Sequence, residues 1–209
     1  MSLKDDLEQA VKGIFKSTWT ERDGTVVPDA DTVKLTNDAV KLTGTVLYAD
    51  MADSTKMVDN SPTWRSAESY KAFLHCAAKI IRHEGGTISA YDGDRIMAVF
   101  LGDNKNTSAV RAAMKIRWAS LNIINPAKTN QYSDDTYPVK QAIGIDTSSL
   151  FVANTGVRGA KDLVWWDVLR ITQPSSRRFR RVTSTSPRTS TSASPLKESY
   201  RTEWICGRQ

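Results

Sequence analysis

Apolar residues recur at helical spacing near the start of the chain. Leu7, Val11, Ile14 and Phe15 share one stripe, which predicts an amphipathic helix over residues 3–16. The polar connector TERDGTVVPDADT follows, broken by Gly24 and Pro28. From Leu42 the period changes to two, and TGTVLYAD reads as a short β-strand ending in acidic and hydroxyl residues. Residues 63–84 return to helical spacing, with Ala67, Tyr70, Phe73, Leu74, Ala77, Ile80 and Ile81 on one face, and Gly85-Gly86 stops the helix. TISAY and RIMAVF are two strands joined at Asp92-Gly93-Asp94, where Asp-Gly signals a hairpin. A second helix is predicted over 107–124, ending at Asn125-Pro126. VKQAIGIDTSSLFVAN is strand-rich, and DLVWW opens a further strand. The order βαββαβ predicts an α+β fold, the split arrangement of ferredoxin-like palms. No internal repeat is present.

Beyond Trp166 the pattern stops. SSRRFRRVTSTSPRTSTSASP is low in complexity and poor in apolar residues, so it cannot bury enough surface to offset its ordering entropy. Three parts are therefore expected: a helix and connector over 1–40, a folded α+β domain over 41–165, and a disordered basic tail over 166–209.

Composition changes this picture little. Apolar residues make up 40% of 209, enough for a core. No run approaches the ~20 apolar residues of a membrane helix, and MSLKDDLEQA lacks a signal-peptide pattern. The expectation is a soluble, cytoplasmic protein without a membrane partner. Cys76 and Cys206 lack metal-ligand spacing and read as free thiols. The formal charge of +6 suggests nucleic acid until it is located. From Trp166 onward there are nine basic and three acidic residues, and the first 165 residues are balanced. The arginine cluster over 177–181 has no interleaved aromatic except Phe179, which argues against a nucleic-acid arm.

The candidate chemistry lies in two aspartates. Asp50 ends a strand on which Val46, Tyr48 and Asp50 share one face, and Ser54-Thr55 follow in the next turn. Such a strand end suits a metal, with hydroxyls and backbone N–H groups for phosphate oxygens. Taken alone, Asp50 reads better as a helix N-cap. Asp94 sits at the tip of the central hairpin, where it reads either as a turn residue or as a second metal ligand. In a split βαβ sheet the two carboxylates can meet at one edge. Tyr48 could contact a nucleotide or fill the core. Arg95 could meet phosphate or be a solvated strand arginine. His75 and His83 read as ordinary helix residues.

Three segments carry a resemblance. VLYADMADST resembles the first-strand motif of class III nucleotidyl cyclases. GGTISAYDGDRIMAVF resembles their central hairpin, and QAIGIDTSSLFVANTGVRGAKDLVW their later strand pair. The resemblance covers residues 43–165. It implies a cyclase catalytic domain with two divalent metal ions, Mn²⁺ or Mg²⁺, held by Asp50 and Asp94 with the carbonyl of Met51. It also implies a homodimer with active sites in its interface. In-line attack of the ribose 3′-hydroxyl on the α-phosphorus would release pyrophosphate.

The departures matter. Ala90 stands where purine cyclases of this pattern often carry a base-reading Lys, and Asp53 replaces a usual glycine. KAFLHCAAKIIRHEGG and YDGDRIMAVF are most similar to the pyrimidine cyclases of bacterial Pycsar antiphage defence. That implies UTP or CTP as substrate, with UTP favoured, and a separate effector protein that answers the cyclic nucleotide. A catalytically degenerate cyclase-fold binding module is the alternative. The residues after Trp165 lack the helix, with its Asn and basic residue, that class III cyclases place there. A single missing G beside the Trp165 codon would account for this: codons permitted for WDVLRITQPSSRRF can, in the other frame, encode a glycine, an Asn and a basic residue at helical spacing.

Overall fold

The computed structural model describes residues 2–166 and the backbone of Ile205–Cys206. The first helix, α1 (Leu3–Lys16), carries a capping box in which Ser2 and Asp5 satisfy each other's backbone N–H groups. After a short strand β1 (Thr20–Asp23), the long strand β2 (Asp38–Ala52) crosses the expected boundary at 40/41. Helices α2 (Ser54–Asn60) and α3 (Thr63–His83) lead to the hairpin β3 (Thr87–Asp92) and β4 (Arg95–Phe100). Then come α4 (Lys105–Ala119), a π-helical segment (Ser120–Ile124) and α5 (Asn125–Gln131). The antiparallel pair β5 (Lys140–Val157) and β6 (Ala160–Trp166) follows, and β7 (Ile205–Cys206) pairs with β5.

The sheet order is β3-β4-β2-β5-β6, with β1 added parallel to β2. The strands β2, β3, β4 and β5 with their two helical crossovers form the expected ferredoxin-like arrangement. Among the described residues, helices pack on one face only. Leu47, Ala49 and Met51 of β2 point into that core, against Phe73, Ala77 and Ile81 of α3 and Ala109, Ala112 and Ile116 of α4. At the start of α4 the Asn106 side-chain carbonyl accepts hydrogen bonds from Thr45 (2.5 Å) and Thr147 (2.8 Å), tying the helix to β2 and β5.

The opposite sheet face carries Val46, Tyr48 and Asp50, as the two-residue period predicts. Its upper half is roofed by the connector. Val33 is buried there with Val40, Leu42, Val99, Val152 and Trp165, and the Asn154 amide donates to the carbonyls of Ala30 and Val33, both at 2.7 Å. The half near Asp50 has no such roof among the described residues.

Two local expectations need correction. The predicted helix over 107–124 does not stop at Pro126. A proline lacks the N–H for the i−4 bond and its ring crowds that carbonyl. The backbone instead widens into the π-turn, in which the N–H of Asn125 donates to the carbonyl of Ser120, and the helix resumes to Gln131. Ala67, predicted on the buried face of α3, is exposed, and Ser66 and Ser69 take the buried positions beside it. Ser66 faces Met57 of α2, where a small side chain lets the two helices approach. The predicted tail disorder concerns residues outside those described, apart from Trp166, the last residue of β6, and Ile205–Cys206.

Candidate active site

Asp50 lies on the helix-free face, two residues from the end of β2. The β2–β4 register pairs Tyr48 with Met97 and Ala49 with Ile96, so one further step sets Asp50 opposite Arg95. The β3–β4 hairpin turns at Gly93-Asp94. Gly93 has φ +60°, a conformation in which a Cβ is strained, so the tight turn that presents Asp94 depends on this glycine. The fold thus brings Asp50, Asp94 and Arg95 together at one edge of the sheet.

The electrostatics there are unbalanced. Arg95 Nε lies 3.5 Å from Asp50 Oδ1, and its guanidinium also reaches Asp92 at 4.0 Å. Burial pushes the Asp50 carboxyl above its usual range, the negative charge of Asp94 adds to this, and Arg95 pulls it back. Asp94 Oδ2 is buried without a hydrogen-bond partner among the described residues. A buried carboxylate oxygen without a donor is costly unless a cation answers it. Two half-buried carboxylates that repel one another, one with an orphaned oxygen, fit a divalent ion with oxygen ligands. No group of three or more His, Cys, Asp or Glu side chains forms a metal cluster among the described residues. A pair of carboxylates therefore requires further oxygens, from a backbone carbonyl or from substrate phosphates.

The other predicted residues surround this pair. Tyr48 is half-buried, opposite Gly144 on β5, and desolvation raises its phenol pKa. Met51 turns its side chain into the helix-side core, so only its backbone can serve the site. Asp53 adopts the left-handed conformation (φ 60°, ψ 23°), which explains why glycine suits this position. Ser54 and Thr55 form the first turn of α2, immediately after it. His75 and His83 are exposed on α3, away from the carboxylates in sequence and fold. Sequence reasoning sets Tyr91, Asp92 and Arg95 near the metal site without giving Asp92 a role of its own. Its place in the site follows from the two-residue period of β3, which puts it on the same face as Ala90, opposite Arg95.

No protein-family model matches the chain. A uridylate cyclase from Xanthomonas perforans is 52% identical over 166 residues, covering 79% of this chain and 72% of that protein. Another uridylate cyclase, from Burkholderia cepacia, is 48% identical over the same shares of each chain. A third, from a Rhodovulum species, is 36% identical over 78% of this chain and 70% of its own length. The fold also matches the guanylyl cyclase Cya2, with TM-score 0.54 at 22% identity over 60% of this chain and 64% of that one. A class III adenylyl cyclase-like ATP-binding protein from Pseudomonas aeruginosa gives TM-score 0.62 at 15% identity, over 78% of this chain and 37% of that one.

Proposed function

This chain belongs to the uridylate cyclase family, and we propose that it converts a pyrimidine nucleoside triphosphate, UTP in preference to CTP, into the 3′,5′-cyclic monophosphate and pyrophosphate. The observation that carries the reading is the orphaned Asp94 carboxylate beside Asp50 at the open end of the sheet face. Asp50 and Asp94, with the carbonyl of Met51, hold two divalent ions, Mn²⁺ or Mg²⁺. When bound, such ions supply Lewis acidity toward the 3′-hydroxyl and neutralise charge on the triphosphate.

The chain's own residues set the rest. The ribose 3′-oxygen forms a bond to the α-phosphorus as the bond from that phosphorus to the β-phosphate bridging oxygen breaks, and the hydroxyl proton leaves to solvent. Arg95 restrains Asp50 in the free protein and turns to phosphate oxygens when substrate arrives, because a guanidinium suits them geometrically. Ser54 and Thr55 offer hydroxyls to the triphosphate. Tyr48 lies along the face toward the nucleotide. Ala90 offers no polar group to a base, in keeping with a substrate other than the purines. The active form is a homodimer with the sites in its interface, and the cyclic product signals to a separate effector protein in antiviral defence.

A second reading has its own observation. The residues after Trp165 contain no recognisable Asn and basic residue in helical spacing. A chain without them is a nucleotide-binding module with weak turnover, since each lost transition-state donor costs ~10²–10³ in rate. We attribute the tail over 166–209 to a frameshift beside the Trp165 codon, and resequencing the DNA tests this. An unbroken frame encoding this tail rejects it. The substrate is tested by incubating the 209-residue and frame-restored chains with all four NTPs and Mn²⁺, then resolving the products. Cyclic UMP from the frame-restored chain is expected. Product from ATP alone would overturn the pyrimidine assignment, and no cyclic product would overturn the enzyme reading.

A further inference from the structure

The helix α1 has no packing partner among the described residues. None of its residues is buried, and Leu3, Leu7, Val11, Ile14 and Phe15 form an apolar stripe open to solvent, with Phe15 85% exposed. Its described side-chain tether is Asn37, whose amide donates to the carbonyls of Ile14 (2.9 Å) and Ser17 (2.8 Å) at the C-terminal end. Helices of fewer than ~12–15 residues are marginal in water on their own. Gly13, in the last turn, weakens this one by about a further 1 kcal/mol. A helix of 14 residues that exposes its whole apolar face is built to be covered.

The charges indicate by what. The first half of α1 carries Asp5, Asp6 and Glu8 against Lys4, and the second half carries Lys12 and Lys16 with no acid. This division suits the helix dipole within one copy. It also makes the helix complementary to itself when reversed. We propose that α1 is a pairing arm that binds antiparallel to α1 of a second copy of this chain. In that register Leu3 meets Ile14 and Phe15 of the other copy, and Leu7 meets Ala10 and Val11. Asp5 and Asp6 then lie beside Lys12. A parallel pair would instead set Asp5, Asp6 and Lys12 against their own counterparts. The exposed stripe of α4 is a poorer partner, because every charged residue of that helix is basic and it complements only half of α1.

An antiparallel pair has a twofold axis, so the contact is closed and adds one copy only. Five apolar side chains a side cover less than the ~1,200 Å² or more of a stable interface. The arm therefore tightens a dimer held elsewhere as well. The inference needs no assumption about catalysis, and its failure would leave the metal site untouched.

Disulfide trapping tests it. With Cys76 and Cys206 replaced by Ser, chains bearing Leu3→Cys and chains bearing Ile14→Cys are mixed and oxidised gently. The mixed disulfide, one Leu3→Cys chain joined to one Ile14→Cys chain, is the expected product, identified by peptide mass. A dominant Leu3→Cys homodisulfide would show parallel arms, and the absence of a disulfide in every mixture would show that the arms do not meet; either result overturns the proposal. Leu3 and Ile14 are both exposed, so these two substitutions leave the core intact. As a second readout, Leu7→Glu is expected to raise the dimer dissociation constant at least tenfold in sedimentation experiments. An unchanged constant would reject the arm.

Discussion

At Asp50 the fold sets two demands against each other. The strand face half-buries the carboxyl and the hairpin brings Asp94 near it, so its pKa is raised. An acid with a raised folded pKa holds its proton in the folded state where the unfolded state, at about 3.9, has released it. Stability from this group therefore falls as pH rises from the unfolded value through the raised folded one, and the cost is then constant. We predict that metal-free Asp50→Asn is more thermostable than the parent at pH 7. The difference should vanish as pH drops below the usual Asp range, as followed by thermal unfolding across pH. Cation binding needs the ionised pair, so its affinity should weaken as pH falls through the raised Asp50 value. Replacing Asp50 or Asp94 by Ala should lower cyclase turnover by at least ~10²-fold while circular dichroism stays unchanged. Retained turnover would remove them as metal ligands.

At the scale of elements, the clearest prediction concerns the π-turn that the chain inserts before Pro126. The Asn125 side chain pairs with the backbone of Val139 like a strand neighbour, accepting from its N–H (2.7 Å) and donating to its carbonyl (3.0 Å). Val139 is buried, so Asn125→Ala strands its N–H and should cost ~1–3 kcal/mol. In a domain of this size each kcal/mol lowers Tm by about 2–4 °C, which thermal unfolding would detect. This pairing also shows where sequence reading stops. The order of β2, α3, β3, β4, α4 and β5 was legible because each has a clean period of two or 3.6. The π-turn was not, since Pro126 reads locally as a terminator and only the contact with Val139 reveals that the helix continues. Strand β1 was hidden for the same reason: TERD has no alternation, and its pairing with Asp38–Lys41 is decided at a distance. In the site, the shared face of Tyr48 and Asp50 followed from period alone. The Asp50–Arg95 pair did not, because it depends on the register between β2 and β4.

Across the whole molecule, the sheet divides the work. Among the described residues, one face holds the helices and the larger core, and the other is half roofed by the connector and half open beside Asp50. The roof is fastened through Asn154, whose amide holds two carbonyls of the connector. An open, carboxylate-bearing sheet face suits a partner copy that completes the site, so turnover of a frame-restored chain should fall more steeply than linearly on dilution below its dimer dissociation constant. Turnover proportional to protein concentration throughout that range would speak against an interfacial site. The central claim, that Asp50 and Asp94 together hold a cation, is tested without restoring the reading frame of the tail by titrating Mn²⁺ into the 209-residue chain, Asp50→Asn and Asp94→Asn with a non-hydrolysable UTP analogue present, using calorimetry. We predict a binding isotherm for the parent that is lost or weakened at least ~100-fold in each variant, corresponding to ~2.7 kcal/mol. Undiminished Mn²⁺ binding in either variant would contradict the account.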